Sequence, residues 1–232
     1  IYEVPFAKGD MVFSAGTGSG VEMNDFLLST KEKKGFRYNA VIYDYTPIIV
    51  PQVHREITID HYHPFLDFTS KMADFIFYGG ETARNDGIAY QKEHDLPIPS
   101  SVAIKFGSNI KLSDDEESSA EEQEKKEAEV LKKYGIKGSY IMSVGTMEAR
   151  KNHETLYRAY VRMLDQYEDV PQMVFCGYPG WNAGDFLRTL SRDERVKGKI
   201  IQIAPSDKEL DILYRHCSFT VLASLYEGWS LT

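Results

Sequence analysis

The 232 residues, 42% hydrophobic and 12% aromatic, supply apolar side chains for one large or two small buried cores and exclude a disordered chain. No apolar run approaches the ~20 residues that span a bilayer, and no stretch reads as a cleavable signal. The net charge of −8 is local: nine acids against two lysines fall within residues 114–129, leaving no broadly basic surface for nucleic acid.

Near the start, residues 14–20 (SAGTGSG) place Gly16, Gly18 and Gly20 at G-x-G-x-G spacing, with no clear helix after them. That is not the G-x-G-x-x-G of a dinucleotide turn, so the stretch is read as a loop that can line a cleft. From residue 40 onward, short β-branched or aromatic runs alternate with helical patterns. The strand candidates are 40–43, 75–78, 102–106, 140–144, 173–176, 200–203 and 219–223. They are apolar on both faces, as strands of a parallel sheet covered by helices on both sides are. His54, His61 and His63 cluster in sequence, but i and i+2 diverge on a helix and Pro64 interrupts the segment, so no metal site is expected.

The acidic stretch reads as a largely solvated helix or mobile linker, with Ser113 and Glu116 as its capping pair and Lys132 and Lys133 ahead of Gly135. Beyond it, Leu156, Ala159, Tyr160, Met163, Leu164 and Tyr167 recur at helical spacing. So do Leu210, Leu213, Tyr214 and Cys217, after a capping box of Ser206 and Glu209. Cys176 and Cys217 sit in apolar contexts and read as reduced thiols. The rhythm is α/β. The expected organisation is a partial N-terminal domain (1–111), an acidic connector (112–135) and a partial C-terminal domain (136–232).

Two segments carry chemistry. In residues 141–152 (IMSVGTMEARKN) a strand ends at Gly145, Thr146 follows, and Arg150 and Lys151 directly precede a helix capped by Asn152. Free N–H groups and two cations at a helix start suit a phosphate. Here a solvated pair beside a cap is the plain alternative, and His153 is read as helix surface. In residues 224–231 (SLYEGWSL) Glu227 can accept sugar hydroxyls, while the backbone of Gly228, Trp229, Ser230 and Leu231 faces a pyrophosphate. An ordinary strand-to-helix turn is the alternative. Trp181 is read as packing its own turn, and Trp229 as mattering through its N–H more than its ring.

The order GTxEARKNHxxLxxAY, CGYPGW, SDKELDILYRHC, SLYEGW over residues 140–232 resembles the donor-binding domain of retaining glycosyltransferase family 4. The segment AVIYDYTPIIVP and residues 65–86 are similar to the family's first domain. The resemblance implies a GT-B fold: two Rossmann-like α/β domains, parallel sheets flanked by helices, with the active site in the cleft between them. It also implies transfer of a sugar, with retention, from a GDP- or UDP-linked donor to a glycan or lipid-linked saccharide hydroxyl in polysaccharide or glycan biosynthesis.

By position, Arg150 and Lys151 would neutralise the donor diphosphate without a metal, so no metal or cofactor is expected. Glu227 matches the first of two family glutamates; the second would lie beyond Thr232. Tyr43 stands where the family commonly has His, and Asp44 after it is the candidate for orienting a sugar. Gly80 stands where Ser is usual, and Thr146 where Arg is frequent. A cytoplasmic location follows from the family, with room for peripheral attachment at the membrane face. Measured against the family, the chain lacks an N-terminal strand with its glycine-rich loop and the C-terminal helices, so the isolated 232 residues are expected to turn over poorly. Two rivals stand beside this: a non-catalytic nucleotide-sugar-binding or assembly subunit, and a sugar-nucleotide epimerase, for which no acid/base set is found.

Overall fold

The structure is a computed structural model that describes residues 6–16, 21–107 and 119–230. The chain divides into two units: Ile1–Gly107 joined by Tyr226–Leu231, and Ser108–Leu225 with Thr232.

The first unit runs β1 (Met11–Ser14), α1 (Val21–Lys34), β2 (Arg37–Ile42), α2 (Thr46–Ile49), a 3-10 turn (Pro51–Val53), α3 (Glu56–Met72), β3 (Phe75–Tyr78), α4 (Glu81–Glu93) and β4 (Ser100–Ala103). Its sheet is parallel in the order β1-β2-β3-β4. Strand alternation sends Ile42, Ile76 and Tyr78 to one face, where they bury against Phe65 and Leu66 of α3 and Ala83 and Tyr90 of α4. Tyr38 and Ala40 pack beside them on Phe68 and Met72, with Leu27 and Leu28 of α1. On the opposite face Met11, Phe13 and Val102 are 67%, 56% and 42% exposed. The Phe13 and Phe77 rings meet there at 5.6 Å.

β3 falls where the pattern predicts it. β2 starts earlier, at Arg37, and ends before Tyr43; β4 is 100–103 rather than 102–106. β1 and α1 are not anticipated: a four-residue edge strand is too short to show alternation, and α1 has no apolar stripe. A strand, a glycine-containing stretch and a helix from Val21 are therefore present near the start, where the pattern expects none. Residues 17–20, with Gly18 and Gly20, lie outside the described residues. Pro64 does not break α3, because it sits on the helix's exposed side along with Asp60, whose carbonyl it leaves without a helical donor.

The second unit runs α5 (Ala120–Lys133), β5 (Tyr140–Val144), a 3-10 turn (Ala149–Lys151), α6 (His153–Gln166), β6 (Gln172–Cys176), α7 (Gly184–Arg192), β7 (Ile200–Ile203), α8 (Asp207–His216) and β8 (Phe219–Thr220). Its parallel sheet has the order β7-β6-β5-β8. Both faces are covered. Ile141, Met173 and Phe175 pack on Leu156, Tyr157 and Tyr160 of α6. Tyr140, Met142, Val174 and Cys176 pack on Leu213 of α8. The buried phenols find acceptors: Tyr140 donates to Leu213 O at 2.7 Å and Tyr160 to Pro171 O at 2.8 Å.

The expected α6 stripe is rotated: Ala159 and Tyr167 are exposed, Tyr167 lies past the helix, and Tyr157 is buried. The acidic helix starts at Ala120 with a capping box of Ser119 and Glu122, while Ser113 and Glu116 lie outside the described residues. It buries no side chain but is tied to α8. Lys133 and Tyr134 reach Glu209, and Glu127 meets Arg215 and His216. The Ser206–Glu209 capping box forms as read. β8 covers 219–220 rather than 219–223, since after Val221 N bonds Met142 O the chain leaves the sheet.

Candidate functional site

In the second unit the ladder extends past the strand ends. Gly145 N donates to Cys176 O at 2.9 Å and Gly177 N to Ile203 O at 2.8 Å. The loops after β5 and β6 then pair: Met147 N reaches Tyr178 O, and Gly180 N returns to Met147 O, both at 2.9 Å. This close approach explains the glycines of CGYPGW. A Cβ on Gly177 would lie 2.0 Å from Gly145 O, and one on Gly180 would lie 2.6 Å from Thr146 Cγ2. Gly145 itself has φ +138°, a conformation L side chains rarely adopt.

On this platform Lys151 lies over the turn, its Cε 3.5 Å and Nζ 3.9 Å from where a Gly145 Cβ would stand. Arg150 behaves differently. Its Nη2 sits 2.6 Å from Oε1 of Glu148, whose side chain is 2% exposed against 13% for Arg150. The two cations thus split: one is engaged by a buried carboxylate of its own turn, the other lies along the glycine at the strand exit. Asn152 holds the N-cap position in a left-handed conformation (φ 55°), but its side chain caps no helix N–H and instead accepts from the Thr155 hydroxyl at 2.9 Å.

His153 is not helix surface. It is 3% exposed, meets Phe175 edge-on at 5.0 Å, and neither ring nitrogen has a hydrogen-bond partner among the described residues. Burial, with the Lys151 charge second, pushes its pKa down to about 4, so it is neutral at pH 7.

The Glu227 segment belongs to the first unit. A Cβ on Gly228 would lie 2.5 Å from Asp44 Cβ and 2.8 Å from Tyr43 O, so the chain there lies on backbone. Gly80 (φ +105°) would place a Cβ 3.0 Å from Gly228 O and 3.2 Å from Cε3 of Trp229. The Trp229 ring therefore packs on Gly80, and its contribution is not confined to its N–H. This packing is a physical reason for glycine where Ser is usual. Asp44 Oδ1 accepts from Thr46 N at 3.0 Å and Thr46 Oγ1 at 2.7 Å, holding the turn into α2. Ser230 is half-buried, and Leu231 lies outside the described residues.

Trp181 is exposed, touching the β5 loop through its carbonyl, which accepts from Ala149 N at 3.4 Å. Among the described residues no group of His, Cys, Asp and Glu could hold a metal ion, and no helix is long and apolar enough to cross a membrane. Glu148, Asp86 and Tyr226 were not singled out from sequence, and His153 was read as helix surface. For His153 the signal was there, since it shares the i, i+3, i+4, i+7 stripe of Leu156, Tyr157 and Tyr160.

Two α/β units with parallel four-stranded sheets and helices packed on them define a GT-B glycosyltransferase fold. Residues 122–232 match the family described as Glycosyl transferases group 1. No curated protein sequence matches the chain. Among solved structures it is similar to the pneumococcal O-GlcNAc transferase GtfA in complex with UDP and GlcNAc. The identity is 16% and the TM-score 0.61, covering 97% of this chain and 39% of that one. It is also similar to a UDP-forming α,α-trehalose-phosphate synthase from Burkholderia xenovorans in complex with glucose-6-phosphate (13%, TM-score 0.66, 97% and 55% covered). A third is Anabaena Alr3699/HepE in complex with UDP (11%, TM-score 0.61, 94% and 54% covered). At these identities the likeness is one of fold, and the chain spans 39–55% of their lengths.

Proposed function

We propose that the protein transfers a sugar from a nucleoside diphosphate donor to a hydroxyl acceptor, with retention of configuration and without a metal. The observation that carries this is Lys151 lying over Gly145 at the exit of β5, inside the segment that matches the group 1 family. A fixed ammonium beside a side-chain-free turn suits a diphosphate that gains charge as the glycosidic bond breaks, and such a charge stabilises the transition state more than the ground state.

Lys151 is the principal diphosphate cation in this reading. Arg150, held by Glu148, shapes the turn and adds field. Gly145 and Thr146 present backbone to the donor, Glu227 takes a donor-sugar hydroxyl, and Asp44 orients a sugar with the oxygen that Thr46 does not use. The backbone of Gly228, Trp229 and Ser230 faces the pyrophosphate. The donor is GDP- or UDP-linked, the acceptor a glycan or lipid-linked saccharide, and the setting polysaccharide or glycan biosynthesis in the cytoplasm.

The test is calorimetric titration with UDP, GDP and ADP in the presence of a chelator, on wild type and Lys151→Ala. Binding of one nucleotide that collapses in the variant supports the donor site and names the base. Absence of binding by the full-length protein would overturn this reading, and binding without sugar release from any matching donor would favour the non-catalytic subunit.

A further inference from the structure

We infer that Tyr226 and Asp86 are positioning residues that fix the Glu227 segment, resting on the reading above for what Glu227 does. The Tyr226 hydroxyl lies 3.0 Å from each carboxylate oxygen of Asp86, across 140 residues of sequence. Asp86 stands on α4, whose Ala83, Gly87 and Tyr90 are buried, so its carboxylate is presented by a packed helix.

The residue after Glu227 is held independently. Gly228 lies on the Tyr43 carbonyl and Asp44, and Gly80, at the start of the same α4, leaves room for Gly228 and Trp229. Glu227 is thus flanked on both sides by fixed residues. With planar peptides and adjacent Cα atoms about 3.8 Å apart, that leaves its backbone only a short range of positions.

The electrostatics agree. Burial pushes the Asp86 carboxyl up, the Tyr226 hydroxyl pulls it down, and the charge on Asp44 raises it. The net shift is upward, and the Tyr226 hydroxyl opposes it by donating to the charged form of the carboxyl. Neither residue need touch substrate; the pair acts through Glu227.

The experiment compares Tyr226→Phe, Asp86→Ala and Asp86→Asn in the full-length protein. It reads hydrogen exchange of the 221–230 peptide, nucleoside diphosphate affinity, and sugar release from UDP-, GDP- and ADP-glucose and from GDP-mannose. The expected result is faster exchange in Tyr226→Phe and Asp86→Ala, with sugar release down about tenfold and a melting temperature within about 2 °C of wild type. Asp86→Asn, which keeps an acceptor oxygen, should recover most of the loss.

Unchanged exchange in the first two variants would overturn the inference. So would parallel losses of nucleotide affinity, turnover and melting temperature, which mark general damage to the unit. If wild type releases sugar from none of the donors, the transferase reading fails, and the exchange comparison alone decides the positioning role.

Discussion

Arg150 places Nη2 2.6 Å from Oε1 of Glu148, a carboxylate almost wholly buried two residues earlier in the same turn. Removing one member of such a pair leaves the other charge in a poorly solvated place. Glu148→Ala is expected to cost about 3 kcal/mol, a Tm fall of roughly 6–12 °C at this size. Differential scanning calorimetry checks it, and a fall under about 2 °C would show that the pair is dispensable.

Lys151 has the complementary profile. Because Lys151 lies along Gly145 at the strand exit, Lys151→Ala should weaken nucleoside diphosphate binding about 10- to 100-fold, with a smaller fall in Tm than Glu148→Ala. The two substitutions, run side by side, separate the cation that builds the turn from the one that meets the ligand. Equal effects of both on Tm and affinity would contradict that division.

His153 sets an acid limit on the second unit. Its folded pKa is about 4, below the ordinary 6.5, so as pH falls the unfolded chain takes the proton first. Stability from this residue is intact above about pH 6.5 and lost progressively toward pH 4, by up to about 3 kcal/mol. His153→Leu should flatten the denaturation midpoint between pH 6.5 and 4. A slope there identical to wild type would refute the assignment. Glu209, held down to about 2 by the Lys133 ammonium and its capping role, acts in a lower window, lost as pH falls from about 4.5 toward 2.

Two glycines make a matched pair. At Gly228 a methyl would strike Asp44 and the Tyr43 carbonyl, whereas at Gly184, the first residue of α7, it meets nothing within 4 Å. Gly228→Ala should lower sugar release at least tenfold by displacing Glu227 and the donor-facing backbone beside it, and weaken nucleotide binding with it. Gly184→Ala should be neutral or raise stability by about 0.5 kcal/mol. A fully active Gly228→Ala protein would count against the packing described for this segment.

The legible parts of the fold were those with strong local signals. β3, β5 and β7 have the predicted bounds because each is a short apolar run between turn residues. The Ser206–Glu209 box announces α8. β1 is short and α1 lacks an apolar stripe, so nothing periodic marks them, whereas α7 does carry a stripe in Phe186, Leu187 and Leu190. Within the candidate site, Arg150, Lys151 and Glu227 stand out through the order of motifs. What could not be read was partnership: neither the Glu148–Arg150 pairing nor the contact of Tyr226 with Asp86 has any periodic trace. The burial of His153 could have been read from its stripe.

The first unit is built from two pieces of chain, and that imposes an order on its completion. Residues up to Gly107 form the sheet and α4, yet the piece that lies on Tyr43, Asp44, Gly80 and Asp86 begins only at Tyr226. A ribosome adding about 5–20 residues per second needs on the order of ten seconds to travel that interval. During that time the shelf at Tyr43, Asp44 and Gly80 stands empty in the nascent protein. Any ligand contact that requires Glu227 in register is therefore acquired late in synthesis, after the second unit's strands have been made.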